Sequence, residues 1–292
     1  MKSCTLCPHA CGKNREAGEV GVCRMTSEIF VAKAAPHFYE EPPISGTRGS
    51  GAVFFSGCSL SCLFCQNKAI SRGATGRKVG EGELKRIFLD LAASGVHNLN
   101  LVTATHYTDA VARVLRDIKP QLNIPVVWNS SGYESPETLR LLEGLVDIYL
   151  PDFKYADNTL ATALSGAPDY SKHACLALAE MYRQTGKATF DENGLLKKGM
   201  VVRHLVLPGH REDSAAVLRL LADTLPTQNI LLSLMRQYTP DFAPPDAPQN
   251  LKRRLTTFEY QWVANLAAEL GFVGFLQEKD AANAAYTPDF TE

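Results

Sequence analysis

The sequence predicts an α/β fold, a parallel sheet covered on its outer face by helices, with a small metal-held module at its N-terminal end. Three observations predict it. After residue 50, short apolar runs alternate with amphipathic stretches at helical spacing, about six times over. The apolar runs are nearly continuous, as in strands buried on both faces. Before residue 50 the chain offers four cysteines, several glycines and few helical signals, too short a piece to fold on an apolar core of its own. A cysteine-rich module is therefore expected over residues 1–50. The α/β unit, with a C-terminal helix and loop extension, is expected over 51–292.

Gly51 to Phe55 (GAVFF) reads as the first buried strand. Leu84, Ile87, Phe88 and Leu91 fall at i, i+3, i+4 and i+7, one helical face, and Gly95 ends that helix. Asn98 to Thr103 is the next strand. Val111, Val114, Leu115 and Ile118 mark a helix that ends before Pro120. Ile124 to Asn129 is a strand, and Ser135-Pro136-Glu137 supplies an N-cap, an N1 proline and an acidic first turn for the helix after it. Val146 to Asp152 is a strand, 170–185 a helix, and Asp191 to Gly194 a turn. Met200 to Leu207 and Asn229 to Met235 are strands, with a helix over 212–224 between them. A last helix over 257–270 precedes a short strand at Val273 to Leu276. Six units fall two short of an eight-fold barrel. The Pro-rich residues 238–250 break the pattern and read as an active-site or partner-facing loop.

Of 292 residues, 45% are apolar and 21% charged, which supplies a core and excludes disorder, collagen and coiled coil. Basic and acidic residues number 30 and 31, a net charge of -1, so no positive excess argues for nucleic acid. No apolar run approaches the roughly 18–20 residues of a bilayer span. Met1-Lys2-Ser3-Cys4 lacks the apolar stretch of a secretory signal. A soluble, cytoplasmic chain without nucleic-acid or membrane partners is expected. Its eight cysteines are then no disulfide framework, because the cytosol keeps thiols reduced. Seven fall in two tight groups, and grouped thiols in a reducing compartment mean metal. Cys175 stands alone and reads as a packing residue.

The stretch Gly57-Cys58-Ser59-Leu60-Ser61-Cys62-Leu63-Phe64-Cys65-Gln66-Asn67 follows the first strand directly and so lies on the first strand–helix loop. C-x3-C-x2-C places thiolates on three irons of a cubane and leaves the fourth without a protein ligand, the open position of a catalytic site. Zinc asks for a fourth Cys or His nearby, and none follows closely. The motif resembles that of the radical S-adenosylmethionine (radical SAM) superfamily, C-x3-C-x-aromatic-C, with Phe64 at the aromatic position, and the resemblance spans roughly residues 50–240. It implies a partial (β/α)6 TIM-type barrel, in keeping with the unit count. It also implies a [4Fe–4S] cluster on Cys58, Cys62 and Cys65, and SAM chelated by the open iron through its amino and carboxylate groups. Its implied chemistry is reductive cleavage of SAM to methionine and a 5′-deoxyadenosyl radical, which abstracts a hydrogen atom.

Functional residues of such a barrel belong at the C-terminal ends of its strands. The second strand ends in Val102-Thr103-Ala104-Thr105, where the family carries a Gly-Gly-Glu-like segment that binds the SAM amino group. This chain departs from it, leaving backbone carbonyls and the Thr103 and Thr105 hydroxyls as acceptors, or Thr105 or Thr108 as a helix cap. The third strand ends in Asn129-Ser130-Ser131-Gly132, which resembles the Asn-Gly segment of the glycyl-radical activases. The fourth ends in Asp152-Phe153-Lys154, similar to an Asp-x-Lys of the pyruvate formate-lyase activating enzymes. That resemblance puts Lys154 near SAM and offers Asp152, with the Asn129–Ser130 segment, two roles: ligating a monovalent cation or holding the lysine. An ordinary ion pair at the strand rim is the alternative. On the fifth strand Arg203 matches a family arginine that approaches SAM. Alternation sends Arg203 and His204 to opposite faces, with His204 in the core. His37 and the pair Glu40-Glu41 either face the mouth or lie in a solvated loop.

Cys4, Cys7, Cys11 and Cys23 form C-x2-C-x3-C-x11-C, four thiolates for a tetrahedral zinc or a fully ligated [4Fe–4S] cluster, and spacing leaves both open. This feature is unlike pyruvate formate-lyase activating enzyme itself and looks like a separate branch. The resulting expectation is a radical SAM oxidoreductase acting on a protein glycine, or on a small molecule or peptide, with flavodoxin or ferredoxin as reducing partner. The reading from another class is a non-catalytic iron–sulfur or zinc protein for electron transfer or interaction.

Overall fold

A computed structural model describes residues 3–277 and Phe290. The strands are β1 (Ile29–His37), β2 (Ser50–Phe55), β3 (Arg77–Val79), β4 (Leu99–Val102), β5 (Val126–Ser130), β6 (Ile148–Pro151), β7 (Thr189–Phe190), β8 (Leu196–Leu205), β9 (Leu231–Met235) and β10 (Val273–Leu276). They form a sheet ordered β10-β9-β8-β6-β5-β4-β2-β1-β3, with β7 paired to β8. From β2 to β10 every pair along this path is parallel, whereas β1 runs antiparallel to both β2 and β3. Each parallel strand lies beside its predecessor in the chain, with helix between, so the sheet coils one way as an arc of a TIM-type barrel. The arc stays open because its two edges do not pair among the described residues.

The covering helices are α1 (Pro42–Ser45), α2 (Lys68–Ser71), α3 (Glu81–Ala93), α4 (Thr108–Ile118), α5 (Pro136–Leu139), α6 (Asn158–Ser165), α7 (Tyr170–Thr185), α8 (Arg211–Thr224) and α9 (Thr257–Glu269). The apolar face read from spacing is the buried face of α4, where Val111, Val114, Leu115 and Ile118 all lie inside. Asp157 caps α6 through the N–H groups of Thr159 and Leu160, and Thr256 with Glu259 forms a capping box on α9. Ser135 stands before α5 as expected, yet its buried hydroxyl makes no cap and has no hydrogen-bond partner among the described residues.

Every residue of β2, β4, β5 and β6 is buried, which explains their unbroken apolar sequence. One core lies between sheet and helices and includes Phe55, Trp128 and Tyr149. A second lies inside the arc, where Ile44 of α1 packs with Val127, Ile148, Leu150, Val201 and Leu231. Asn98, just before β4, donates to the Ile44 carbonyl at 2.7 Å, so α1 plugs the end of the barrel where the strands begin. The division expected at residue 50 therefore falls at the start of β2. Residues 29–49 already serve the sheet as its antiparallel edge and as its plug. None of the described helices is long and apolar enough to cross a membrane.

Candidate functional site

Beyond β2 the chain turns at Gly57, where φ is +84° and a Cβ would stand 2.2 Å from Met25 Cγ and 2.9 Å from the Cys23 carbonyl. Only glycine fits so close an approach. Cys58, Cys62 and Cys65 follow on the wall of a cavity of about 620 Å³ at the C-terminal ends of the strands. Each sulfur has a polar neighbour. The Leu60 N–H donates to Cys58 Sγ at 3.3 Å, the Ser165 hydroxyl donates to Cys62 Sγ at 3.0 Å, and Ser71 Oγ lies 3.5 Å from Cys65 Sγ. Donors at sulfur favour the thiolate, but burial, with Cys62 beside it, pushes the Cys58 thiol up to about 12. A metal centre takes cysteine as thiolate. This donor set, free of disulfides, fits three corners of an iron–sulfur cube.

The same cavity carries a charged network. Lys154 Nζ meets Asp152 Oδ2 at 2.6 Å, and Arg203 Nε donates to Asp152 Oδ1 at 2.9 Å. Arg203 also donates to Asn129 Oδ1 at 2.7 Å and reaches Glu40 Oε2 at 3.3 Å. Asn100 and Asn129 donate to the other Glu40 oxygen at 3.0 and 3.1 Å. Burial works against the charge on Asp152, yet the adjacent Arg203 and Lys154 hold its carboxyl below the usual range. Burial likewise opposes charge on Lys154, but Asp152 and then Cys62 hold it up at about 12. Burial raises Glu40 and Glu41, and one enclosed oxygen of Glu41 has no hydrogen-bond partner among the described residues.

Thr103, Asn129, Ser130, Asp152, Lys154 and Arg203 all line the cavity with the three cysteines, as do His37, Glu40 and Glu41. Thr103 is a non-glycine residue at φ +60°, backbone strain placed at the cavity wall. Phe64 is buried, with its ring centroid 5.9 Å from that of Tyr238, which brings the Pro-rich loop to the mouth. Phe290 sets its ring 5.4 Å from Phe54 on the same wall. Thr105 is not a lining residue: it donates to Glu134 Oε1 at 3.0 Å, alongside the Trp128 indole at 2.8 Å, while the Ser130 hydroxyl donates to Oε2. That buried carboxylate claims the hydroxyl that was expected to receive an ammonium, and Thr105 caps no helix with its side chain. Of the two roles offered to Asp152, the geometry displays the lysine contact. His204 faces away from Arg203 and is buried, its Nδ1 2.7 Å from the Phe153 carbonyl.

Neither Glu134 nor Ser165 carries a local sequence signal that points to the site. Glu40 and Glu41 were only candidates for the mouth. The one available signal for them was an acidic pair just before Pro42-Pro43, which fixes where the plug begins. Cys4 and Cys23 are buried, Cys7 and Cys11 half-buried, and all four lie close enough to influence one another's ionisation. Among the described residues no three His, Cys, Asp or Glu side chains are arranged to hold a metal ion, and that includes both cysteine groups. Thiolates of a cube sit on separate irons and need not converge on one ion.

A curated relative, an uncharacterized protein of Methanocaldococcus jannaschii, is 29% identical over 274 residues, which cover 91% of this chain and 75% of that one. A radical SAM methyltransferase from Sphaerobacter thermophilus aligns with a TM-score of 0.51 and 16% identity, over 77% of this chain and 65% of that one. SuiB of Streptococcus suis, solved with S-adenosylmethionine, aligns at 0.48 and 13%, over 76% and 48%. A domain of a pyruvate-formate lyase-activating enzyme from Bacteroides vulgatus aligns at 0.42 and 13%, over 59% and 92%. The alignments thus take in less than two thirds of the methyltransferase and about half of SuiB, and at these identities the methyltransferase is a likeness of fold alone. The family model for the radical SAM superfamily matches residues 52–221, more than half of the chain, and the chain belongs to that superfamily.

Proposed function

We propose that this protein cleaves SAM reductively at a [4Fe–4S] cluster held by Cys58, Cys62 and Cys65 and abstracts a hydrogen atom from a protein segment, at glycine as the activating enzymes do. The observation that carries the reading is the set of three free cysteines, each with a polar partner, lining one cavity together with Lys154 and Arg203. Cluster and SAM together supply one-electron cleavage to a 5′-deoxyadenosyl radical. Lys154 spends one of its three donors on Asp152 and offers the others to the SAM carboxylate. Thr103 offers its hydroxyl and carbonyl to the ammonium. Asp152 and Glu40 keep Arg203 in place on the wall, and Asn129 ties that network to β5. Phe54, Phe64 and Tyr238 keep water from the radical.

The cavity lies in the range, about 300–1,000 Å³, that ordinarily encloses one drug-sized ligand. Cluster and SAM claim most of such a space, and on this reading an extended chain at glycine, rather than a bulky small molecule, meets the remainder. A reduced flavodoxin or ferredoxin is the proposed electron donor, and a cytoplasmic setting suits eight free thiols. The test is anaerobic reconstitution with iron and sulfide, then titanium(III) citrate and SAM. Release of 5′-deoxyadenosine is expected, and an intact cluster without release overturns the reading.

A further inference from the structure

The N-terminal cysteines pack directly on the loop that carries the cavity cysteines. The Cys58 N–H donates to the Cys23 carbonyl at 3.3 Å, a single hydrogen bond between one member of each group. Around it, His9 Nε2 lies 2.8 Å from the Ser59 carbonyl and Arg24 donates to Ser61 Oγ at 2.6 Å. A parallel route runs through Arg15, which donates to the His106 carbonyl at 2.7 Å. His106 in turn places its Nε2 2.7 Å from the carbonyl of Ser56, two residues before Cys58.

The charge at Arg15 calls for an anionic partner. Its side chain is buried, and its guanidinium contacts the carbonyls of Met25, Thr26 and His106 and, at 3.8 Å, Cys4 Sγ. Among the described residues no carboxylate lies within ion-pair distance of it, and a buried cation without a counter-charge is costly. Four cysteine sulfurs bound to a metal centre would supply that counter-charge, since thiolate is the ligand form. The positive φ at Gly12 and the bare Gly21, whose Cβ would lie 3.3 Å from Cys23 Sγ and 3.5 Å from Cys11 Sγ, let the chain wrap a compact centre. Cys7 and Cys11 are half-buried, and Val20 and Val22 are exposed beside them, so the outer edge of this group reaches solvent.

We propose that Cys4, Cys7, Cys11 and Cys23 hold a second, fully protein-ligated [4Fe–4S] cluster that relays electrons to the cavity cluster across the Cys23–Cys58 contact. This rests on the preceding reading for the acceptor. A reduced one-electron carrier protein gives one electron to the outer cluster, taking it from the 2+ to the 1+ state. The outer cluster returns to 2+ as the cavity cluster becomes 1+. No bond forms or breaks and no proton moves. Zinc has no second oxidation state for this role.

The test uses the full chain, reconstituted anaerobically. Wild type should hold about eight irons, two four-iron clusters, and its fully reduced state should show two paramagnets broadened by mutual spin coupling. The double variant Cys7→Ala/Cys11→Ala, with two ligands left, should lose the outer cluster, release 5′-deoxyadenosine at least tenfold more slowly with reduced flavodoxin, and keep its rate with titanium(III) citrate. About four irons with one zinc, two clusters without spin coupling, or an unchanged flavodoxin-driven rate in the double variant without its outer cluster each overturns the relay. Should the double variant fail to fold, metal content and spin coupling of wild type decide alone. Failure of cleavage with every reductant in wild type falls on the preceding reading, because the iron count and the coupling do not depend on SAM.

Discussion

The two cysteine groups share a local device and differ in what it faces. Leu60 presents its N–H to Cys58, two residues back, and His9 and Lys13 bond in the same i+2 relation to Cys7 and Cys11. In the barrel, three thiols line a cavity together with Lys154. In the N-terminal segment, four thiols face one another and Arg15. Three ligands for a four-iron cube leave a corner for a small molecule, and four leave none. On the readings proposed above, cysteine number and facing charge, rather than the loop geometry around each sulfur, would separate a reactive centre from a sealed one.

The largest effect should come from breaking the barrel group. Cys62→Ala should reduce 5′-deoxyadenosine release to background by chromatographic assay while the N-terminal group keeps its metal, and Cys175→Ala should leave release unchanged. Continued cleavage by Cys62→Ala would erase the distinction between the two groups. Next is the facing charge. Asp152→Asn strips both Lys154 and Arg203 of their shared carboxylate, and breaking a buried pair in this way costs about 3–5 kcal/mol. Denaturant unfolding should show that loss, and an unchanged midpoint would mean that the two cations are compensated elsewhere.

A smaller effect tests how the Lys154 loop is held. Asp213 Oδ1 accepts from the N–H groups of Ala156 and Asp157, just beyond Lys154. Burial outweighs those bonds and raises the carboxyl from its ordinary 3.8 to about 6. Between these values the folded chain keeps a proton that the unfolded chain has released, so stability falls as pH rises through the window and stays lower above it. Asp213→Asn retains the acceptor and removes the titration. Its stability relative to wild type should grow by about 2–3 kcal/mol between pH 4 and 7, and parallel pH curves would refute the assignment. The smallest effect is on potential. Ser165→Ala deletes the donor to Cys62 Sγ, which favours the more negative reduced cluster, so the midpoint should move negative in a redox titration. No movement would mean that Cys62 is not a cluster ligand.

What was legible in the sequence was what neighbours along the chain encode. The seven parallel strands follow from unbroken apolar runs, and the face of α4 from its 3.6-residue period. The barrel cysteines follow from spacing within eight residues. β1 was hidden because Lys33 and Pro36 interrupt its pattern, and both lie past Ile29–Val31, the only part of β1 that β3 pairs among the described residues. The contacts that define the site's charge join distant residues, Glu40 with Arg203 across 163 positions and Ser165 with Cys62 across 103, so no local signal announces them. Thr105 misled for the same reason, since its partner Glu134 enters from the following loop.

Gly132 lies at φ +72°, and a Cβ there would stand 2.1 Å from the Asp152 carbonyl oxygen. The strand bearing the Asp-x-Lys segment is therefore pressed against bare backbone of its neighbour, with no slack for a methyl group. A saturation library at codon 132 should yield almost only inactive clones, and any survivor should carry a second change that shifts the Asp152 peptide.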